Sequence, residues 1–427
     1  MMMQALSFMG TDGDMLPLFW SSATLALQHD VPSHLVVQPF QFETVVGKLR
    51  SLPCFSWRSE ETIAVEQKAY RVTFTPPESC PPKVLRAATA DETVQVELRH
   101  AVFQTSGQVE FHAWAPADSS WNEKPYQEWE DLHMTAFKKV SYGTFLTKWQ
   151  AVLAFLDTVL PADGVLRVSN CYDQEGNHKL LEAAVGYECD LHLRIGTLGI
   201  MDSNADRNKF YAICQALSPR KVHLTPKIVK EVNPKSMKLE GVITEPTDTF
   251  PAEALPSTVA AFLEESTIVV TLSSSQLGTL LQDLLADLRC LFICSVTDAP
   301  LPGHLHWPRQ LDLDAVFAKA CLVVHGCGVG TAYKVVCSGR PSICVTLTKE
   351  QLNNAGRLEY KGVAVAFGLR DLMSDTDVQH AFVKSLRMPF DVQCLDALQT
   401  QAKKEGDGLA ACVEKMVQML RPPCDTN

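Results

Sequence analysis

The stretch Cys321-Leu-Val-Val-His325-Gly-Cys-Gly-Val-Gly-Thr331 holds the residues best suited to chemistry. An apolar run at 322–324 ends in a histidine and a glycine-rich bend, and 332–337 then reads as the first turns of a helix. A strand, a tight turn and a helix start aim backbone N–H groups and the positive end of a helix dipole at one point. Glycines there let the backbone approach a ligand closely. The chemistry on offer is anion binding, a phosphate above all, although the same glycines would also serve a sharp strand-to-helix turn without a ligand. The fourteen cysteines are scattered, many of them in apolar runs (Cys294, Cys321, Cys344), and no Cys-x-x-Cys pair occurs. Neither a zinc site nor a redox site is expected from that spacing; buried free thiols in a reducing compartment are.

The elements that must position this loop follow a strand–helix rhythm. Residues 5–9 form an apolar strand, followed by the turn Gly10-Thr-Asp-Gly-Asp14 and a helix to about His29, with Pro17 in its first turn. Residues 34–37 form a second strand, which opens a doubly wound α/β domain. The alternating segments 70–75, 93–98 and 108–112 read as half-exposed antiparallel strands, and residues 55–130 as a β-rich insertion. Trp114, Trp121, Tyr126 and Trp129 either line an apolar pocket or pack the insertion down. A helix at 144–159 and a strand at 165–168 resume the rhythm. Three prolines between Glu245 and Pro256 mark a linker. The expected division is an N-terminal domain over 1–250, a C-terminal domain over 257–400, and a helix and tail over 401–427. In that last helix Leu409, Cys412, Val413, Met416, Val417 and Leu420 share one apolar face.

Composition narrows the function classes. The 427 residues are 46% hydrophobic and 20% charged, enough for two or three cores. A net charge of -11 without a basic patch argues against nucleic acid as a partner. No apolar run is long enough to span a bilayer, and residues 1–9 lack the cationic start of a signal peptide. A soluble cytoplasmic protein is expected.

The order of motifs in the second half resembles the UDP-glycosyltransferases of the GT-B fold, of the sterol and antibiotic type. Pro256-Ser-Thr-Val-Ala-Ala-Phe-Leu263 with Ile268-Val-Val-Thr-Leu-Ser273 looks like their entry into the C-terminal domain. Trp307-Pro-Arg-Gln310, the loop His325 to Thr331, Gly339-Arg-Pro341, Glu350-Gln351 with Asn354-Ala355, and Gly362-Val-Ala-Val look like their successive motifs. Gly10-Thr-Asp-Gly-Asp-Met-Leu-Pro17 is similar to the Gly-Thr-Arg-Gly-Asp-Val-Gln-Pro of the sterol type. The resemblance implies two Rossmann-like domains facing across a cleft, and an inverting transfer of a sugar from a UDP-sugar to a hydroxyl of an apolar small molecule or lipid. Peripheral membrane contact is compatible with such an acceptor.

It also implies roles. Asp14 would be the catalytic base, a position where a carboxylate also makes a good helix cap, with Asp12 as a second candidate. Trp307 would stack on uracil, with Gln310 in the same segment. Ser274, His325, Gly328, Gly330 and Thr331 would hold the diphosphate. Glu350 and Gln351 would hold sugar hydroxyls. No metal and no cofactor is implied. The chain departs from the pattern at Gly326, where a second histidine is expected, at Cys327, which replaces a glycine, at Ser273, and at Lys334. Such losses, on the order of 1.5–3 kcal/mol for one charge-assisted hydrogen bond, leave room for His325 or Lys334 to supply the charge instead. They also fit a non-catalytic GT-B-fold binding protein. A sugar-nucleotide epimerase is a further reading.

Overall fold

The computed structural model describes residues 1–7, 12–75, 84–117, 139–169, 190–192, 254–272, 275–297, 300–309, 311–347, 349–405 and 408–420. Trp121, Tyr126 and Trp129 lie outside the described residues, as does the linker up to residue 253. Strand β1 (Met2–Leu6) is followed by α1 (Asp12–Gln28), β2 (Ser33–Val36) and α2 (Pro39–Ser51). Long strands β3 (Phe55–Thr75) and β4 (Val84–Thr105) lead to β5 (Glu110–Pro116), α3 (Lys139–Val159), β6 (Val165–Ser169) and β7 (Leu191–His192). These strands make one seven-stranded sheet in the order β3-β4-β5-β2-β1-β6-β7. β1 is parallel to β2 and β6, and β5 is parallel to β2. The alternating segments are therefore extensions of the N-terminal sheet: β4 pairs antiparallel with β3 and β5, and β5 carries the pair inward. The β3 edge is studded with Arg58, Glu60, Glu61, Glu66 and Lys68, charges that keep an exposed edge from pairing with other chains.

Helices α1 and α2 cover one face of this sheet, where Phe19, Phe42, Phe103 and Phe111 are fully buried. Helix α3 covers the other through Leu146, Trp149 and Val152. Two details differ from the sequence reading. β1 starts at Met2, because Met3 to Leu6 take the register of Ser33 to Val36, with Gln4 buried among them. Pro17 is the sixth residue of α1, inside the helix.

On the α3 face, where β2, β4 and β5 meet, Trp114 packs into a stack of imidazoles. His34 lies 4.2 Å from His112, and His100 lies 3.6 Å from Trp114. The Trp114 indole N–H donates to His34 Nδ1 at 3.3 Å, and His100 Nε2 is 3.0 Å from His112 Nδ1. Burial, with the neighbouring His112 and His100, holds His34 down to about 3; burial and His100 hold His112 down to about 4. Both values lie below the unfolded value of about 6.5. The neutral rings thus contribute stability that is complete above that pH and is lost as pH falls toward about 4 and then about 3. The urea midpoint is expected to fall with acidification from about pH 6.5, and His34→Phe should flatten that fall. An equally steep fall in the variant would remove this cluster as the cause.

The second half is a doubly wound parallel sheet. Its elements are α4 (Ser257–Phe262), β8 (Ile268–Thr271), α5 (Ser275–Leu284), β9 (Cys290–Ile293), β10 (His304–Trp307), α6 (Leu313–Lys319) and β11 (Leu322–His325). Then come α7 (Val329–Cys337), β12 (Ser342–Thr346), α8 (Lys349–Tyr360), β13 (Ala364–Gly368), α9 (Leu369–Ser374) and α10 (Thr376–Ser385). The strand order is β10-β9-β8-β11-β12-β13, all parallel. Strands such as Ile268–Thr271 and Cys290–Ile293 read as continuous apolar runs because helices cover both faces. Helices α5, α9 and α10 pack on one face. Helices α4 and α6 pack on the other, joined by α7, α8 and α11 (Val392–Glu405). The last helix, α12 (Gly408–Leu420), leaves this sheet and packs on the first: Leu409, Cys412, Val413 and Met416 are buried with the residues of α1 and β1.

Candidate functional site

In an open parallel sheet a ligand binds beyond the carboxyl ends of the strands, where the strand order reverses. In the C-terminal sheet that point lies between β8 and β11, the chain running outward from β8 through β9 and β10 and returning at β11. Thr271 and His325 are register partners there. The loop 326–328 follows, and α7 begins at Val329 with Gly328 as its N-cap. The first hydrogen bond of α7 runs from Ala332 N–H to Gly328 O, at 2.9 Å. The N–H groups of Val329, Gly330 and Thr331 therefore have no acceptor within the helix and point out of its N-terminal end. Among the described residues, a Cβ placed at Gly328 or Gly330 would meet nothing within 4 Å beyond its chain neighbours and its own helix backbone.

The loop is held from behind. His325 is fully buried, and its Nδ1 accepts the Cys327 N–H at 3.1 Å. Its Nε2 lies 3.8 Å from Cys344 Sγ on the neighbouring strand β12. The imidazole thus faces into the sheet, and its role is to found the loop, not to reach over its outer surface. Cys327 adopts φ 61°, the left-handed region that glycine fills without strain. Three anchors hold it there: its N–H on His325, its carbonyl accepting the Asn354 side-chain N–H at 3.2 Å, and its side chain in the core between α7 and α8. Asn354 is fully buried and is a loop-positioning residue to which the sequence reading gave no role. Its spacing, one turn after Glu350-Gln351 on α8, was the available signal.

Gln351 lies in the first turn of α8, with its side-chain oxygen accepting the Leu347 N–H at 2.8 Å. Its amide would stand 3.6 Å from a Cβ at Gly326, so the structure brings Gln351, Gly326 and the α7 terminus together. Glu350 precedes Gln351 in that turn, but its side chain, like Ser274 and Gln310, is outside the described residues. Lys334 does not turn toward the loop: it makes an ion pair with Asp314 of α6. The expectation that Lys334 could supply charge to a bound anion is corrected accordingly. Trp307 closes β10 at the sheet edge, half-buried with Leu305, Leu311 and Leu313 against the α4 and α6 core. It stands three strand positions from β11, roughly 14 Å at ordinary strand spacing.

In the N-terminal sheet the reversal falls between β1 and β6, and α1 starts just beyond β1. Asp14 is the third residue of α1, with Asp12 the first. Asp14 therefore belongs to the helix's first turn and is not its cap; its side chain is outside the described residues.

Cys327 and Cys344 were expected to be isolated thiols. Instead His325, Cys327 and Cys344 meet, their ligand atoms all within 4.8 Å of one another. Spacing along the chain could not show this, because the β11–β12 register brings Cys344 to His325.

No family model matches the chain, and no curated protein does. Solved structures do. UGT89C1 from Arabidopsis thaliana, complexed with quercetin, matches with TM-score 0.56 at 12% identity, over 98% of this chain and 98% of that one. The spinosyn forosaminyltransferase SpnP matches with TM-score 0.53 at 10% identity, over 98% of this chain and 99% of that one. The Streptomyces sp. SF2575 glycosyltransferase SsfS6, complexed with thymidine diphosphate, gives 0.51 at 14% identity, over 98% and 100%. The chain has the GT-B fold. In a GT-B frame the two reversal points are the two places from which side chains can meet a ligand. This chain puts α1 with Asp14 at one and the α7 terminus with Gln351 at the other. No helix among the described residues is long and apolar enough to cross a membrane.

Proposed function

We propose that this protein is an inverting glycosyltransferase that moves a sugar from a UDP-sugar to a hydroxyl of an apolar small molecule or lipid, in the cytoplasm. The observation that carries the reading is the open α7 terminus at the reversal point, with unpaired N–H groups, no described residue crowding Gly328 or Gly330, and Gln351 alongside. Fixed donors of this kind stabilise charge as it develops on a departing diphosphate, which is how the reaction proceeds without a metal or a cofactor. The acceptor oxygen bonds to the anomeric carbon, the bond from that carbon to the diphosphate breaks, and the acceptor proton passes to Asp14. Glu350 and Gln351 hold sugar hydroxyls, the Thr331 hydroxyl and Ser274 hold phosphate, and Trp307 with Gln310 flanks the base. His325 acts through the loop it supports. Complexes of UGT89C1 with UDP and with quercetin, and of SsfS6 with thymidine diphosphate, support a nucleotide donor and a small-molecule acceptor.

A second reading rests on a specific observation: His325 is turned inward and Lys334 is paired with Asp314, so two expected cations leave the cradle. That reading is a non-catalytic GT-B-fold protein that binds a nucleotide or another ligand. UDP binding by calorimetry, with UDP release followed across a mixed acceptor panel, separates the two. Binding with release supports the transferase, binding alone supports the second reading, and no binding ends both. Gly330→Phe is the matched test, because a Cβ there meets none of the described residues within 4 Å outside its neighbours and helix backbone, while the ring would stand at the α7 terminus. UDP affinity should fall by at least about a hundredfold, the equivalent of losing two charge-assisted hydrogen bonds, with an unchanged melting temperature. Unchanged affinity would move the anion site elsewhere.

A further inference from the structure

We propose that Cys327 and Cys344 are an oxidisable pair at the foot of the α7 loop, which a hydroperoxide converts into a disulfide tying that loop to β12. The pair is built. All three side chains of the His325–Cys327–Cys344 cluster are fully buried, with their ligand atoms within 4.8 Å of one another. Because His325 Nδ1 accepts the Cys327 N–H, the ring proton sits on Nε2, and Nε2 faces Cys344 Sγ at 3.8 Å. The Ser342 hydroxyl approaches the same sulfur at 3.9 Å. The Cys327 thiol adjoins it too, so the Cys344 sulfur is the focus of three donors. The Cys327 S–H, then the His325 ring and the Ser342 hydroxyl, draw the Cys344 thiol below the ordinary thiol range against the effect of burial. Glu359, the acidic group nearby, has its own carboxyl pushed up by burial and by Cys344. A thiolate beside a second thiol is the arrangement that reacts with peroxide and then resolves.

The same hydrogen bond decides against a metal. A cation on Nε2 would displace the proton that Nδ1 cannot accept while it holds the Cys327 N–H. The chemistry balances without a metal. The Cys344 thiol first gives up its proton; its thiolate attacks one peroxide oxygen, the O–O bond breaks, and the products are a Cys344 sulfenic acid and a hydroxide, which that proton converts into water. The Cys327 thiol then attacks the sulfenyl sulfur, its proton leaving with the sulfenic hydroxyl as a second water. Two thiols are oxidised by two electrons and one peroxide is reduced. Cys327 already carries the loop's backbone strain, so the new bond acts where the loop joins α7.

The test uses the full chain treated with hydrogen peroxide, alkylated, digested and mapped by mass spectrometry. The expected product is a linked Cys327–Cys344 peptide, reversed by dithiothreitol. In Cys327→Ala, Cys344 should stop at a sulfenic acid trapped by dimedone. Free Cys327 and Cys344 in wild-type protein whose Cys321 and Cys294 have oxidised would overturn the proposal, whether or not the variant folds. Stoichiometric Zn(II) retention that blocks both thiols would overturn it in favour of a metal site.

Discussion

If the protein is the proposed transferase, Asp14→Ala is expected to lower the rate of sugar transfer by about a hundredfold to ten-thousandfold, the range for removing a positioned general base, while UDP affinity stays unchanged. The split follows from where the residue sits. Asp14 belongs to α1 at the reversal point of the N-terminal sheet, and the anion cradle belongs to α7 on the other sheet. Steady-state kinetics beside calorimetry measures both quantities on one preparation. Wild-type turnover in Asp14→Ala would transfer the role to Asp12, two residues earlier in the same turn, and Asp12→Ala would then show the loss.

Met416→Asp destabilises the N-terminal half by more than about 4 kcal/mol, since it leaves an unpaired carboxylate in an apolar core. Met416 is fully buried on α12 among residues of α1 and β1. Met419→Asp provides the comparison on the same helix. Its side chain is 39% exposed, and the substitution should stay within about 0.5 kcal/mol. Urea denaturation of the two variants measures the difference, and equal midpoints would mean that α12 does not seal that core.

The C-terminal sheet was legible because its strands are buried on both faces. Runs such as Leu291-Phe-Ile293 and Leu322-Val-Val324 have no polar alternation. The apolar face of α12 was read correctly, since helical periodicity survives whatever the helix packs against. Periodicity could not reveal the sheet that β3 and β4 join, because alternation says only that one face is wet. The pairing of β5 with β2 settles that, and it depends on residues far apart in the chain.

The glycine-rich loop was legible from its composition, whereas Gln351 was singled out only through the family resemblance. The inward turn of His325 was not legible. It rests on a hydrogen bond two residues away and on a sulfur from the next strand. A histidine at a strand end reads the same in sequence whether it faces a ligand or the core. Lys334 likewise needed the ion pair with Asp314 to show that its charge is already satisfied.

Helix α12 fixes an order of events during synthesis. It is translated after every strand of the C-terminal sheet, yet Leu409, Val413 and Met416 complete the core around β1 and α1. Of the two halves, the earlier to leave the ribosome is thus the later to be finished, although domains ordinarily fold in the order they emerge. Until α12 arrives, the apolar surface of α1 waits uncovered, and it is there that a chaperone would find this nascent chain.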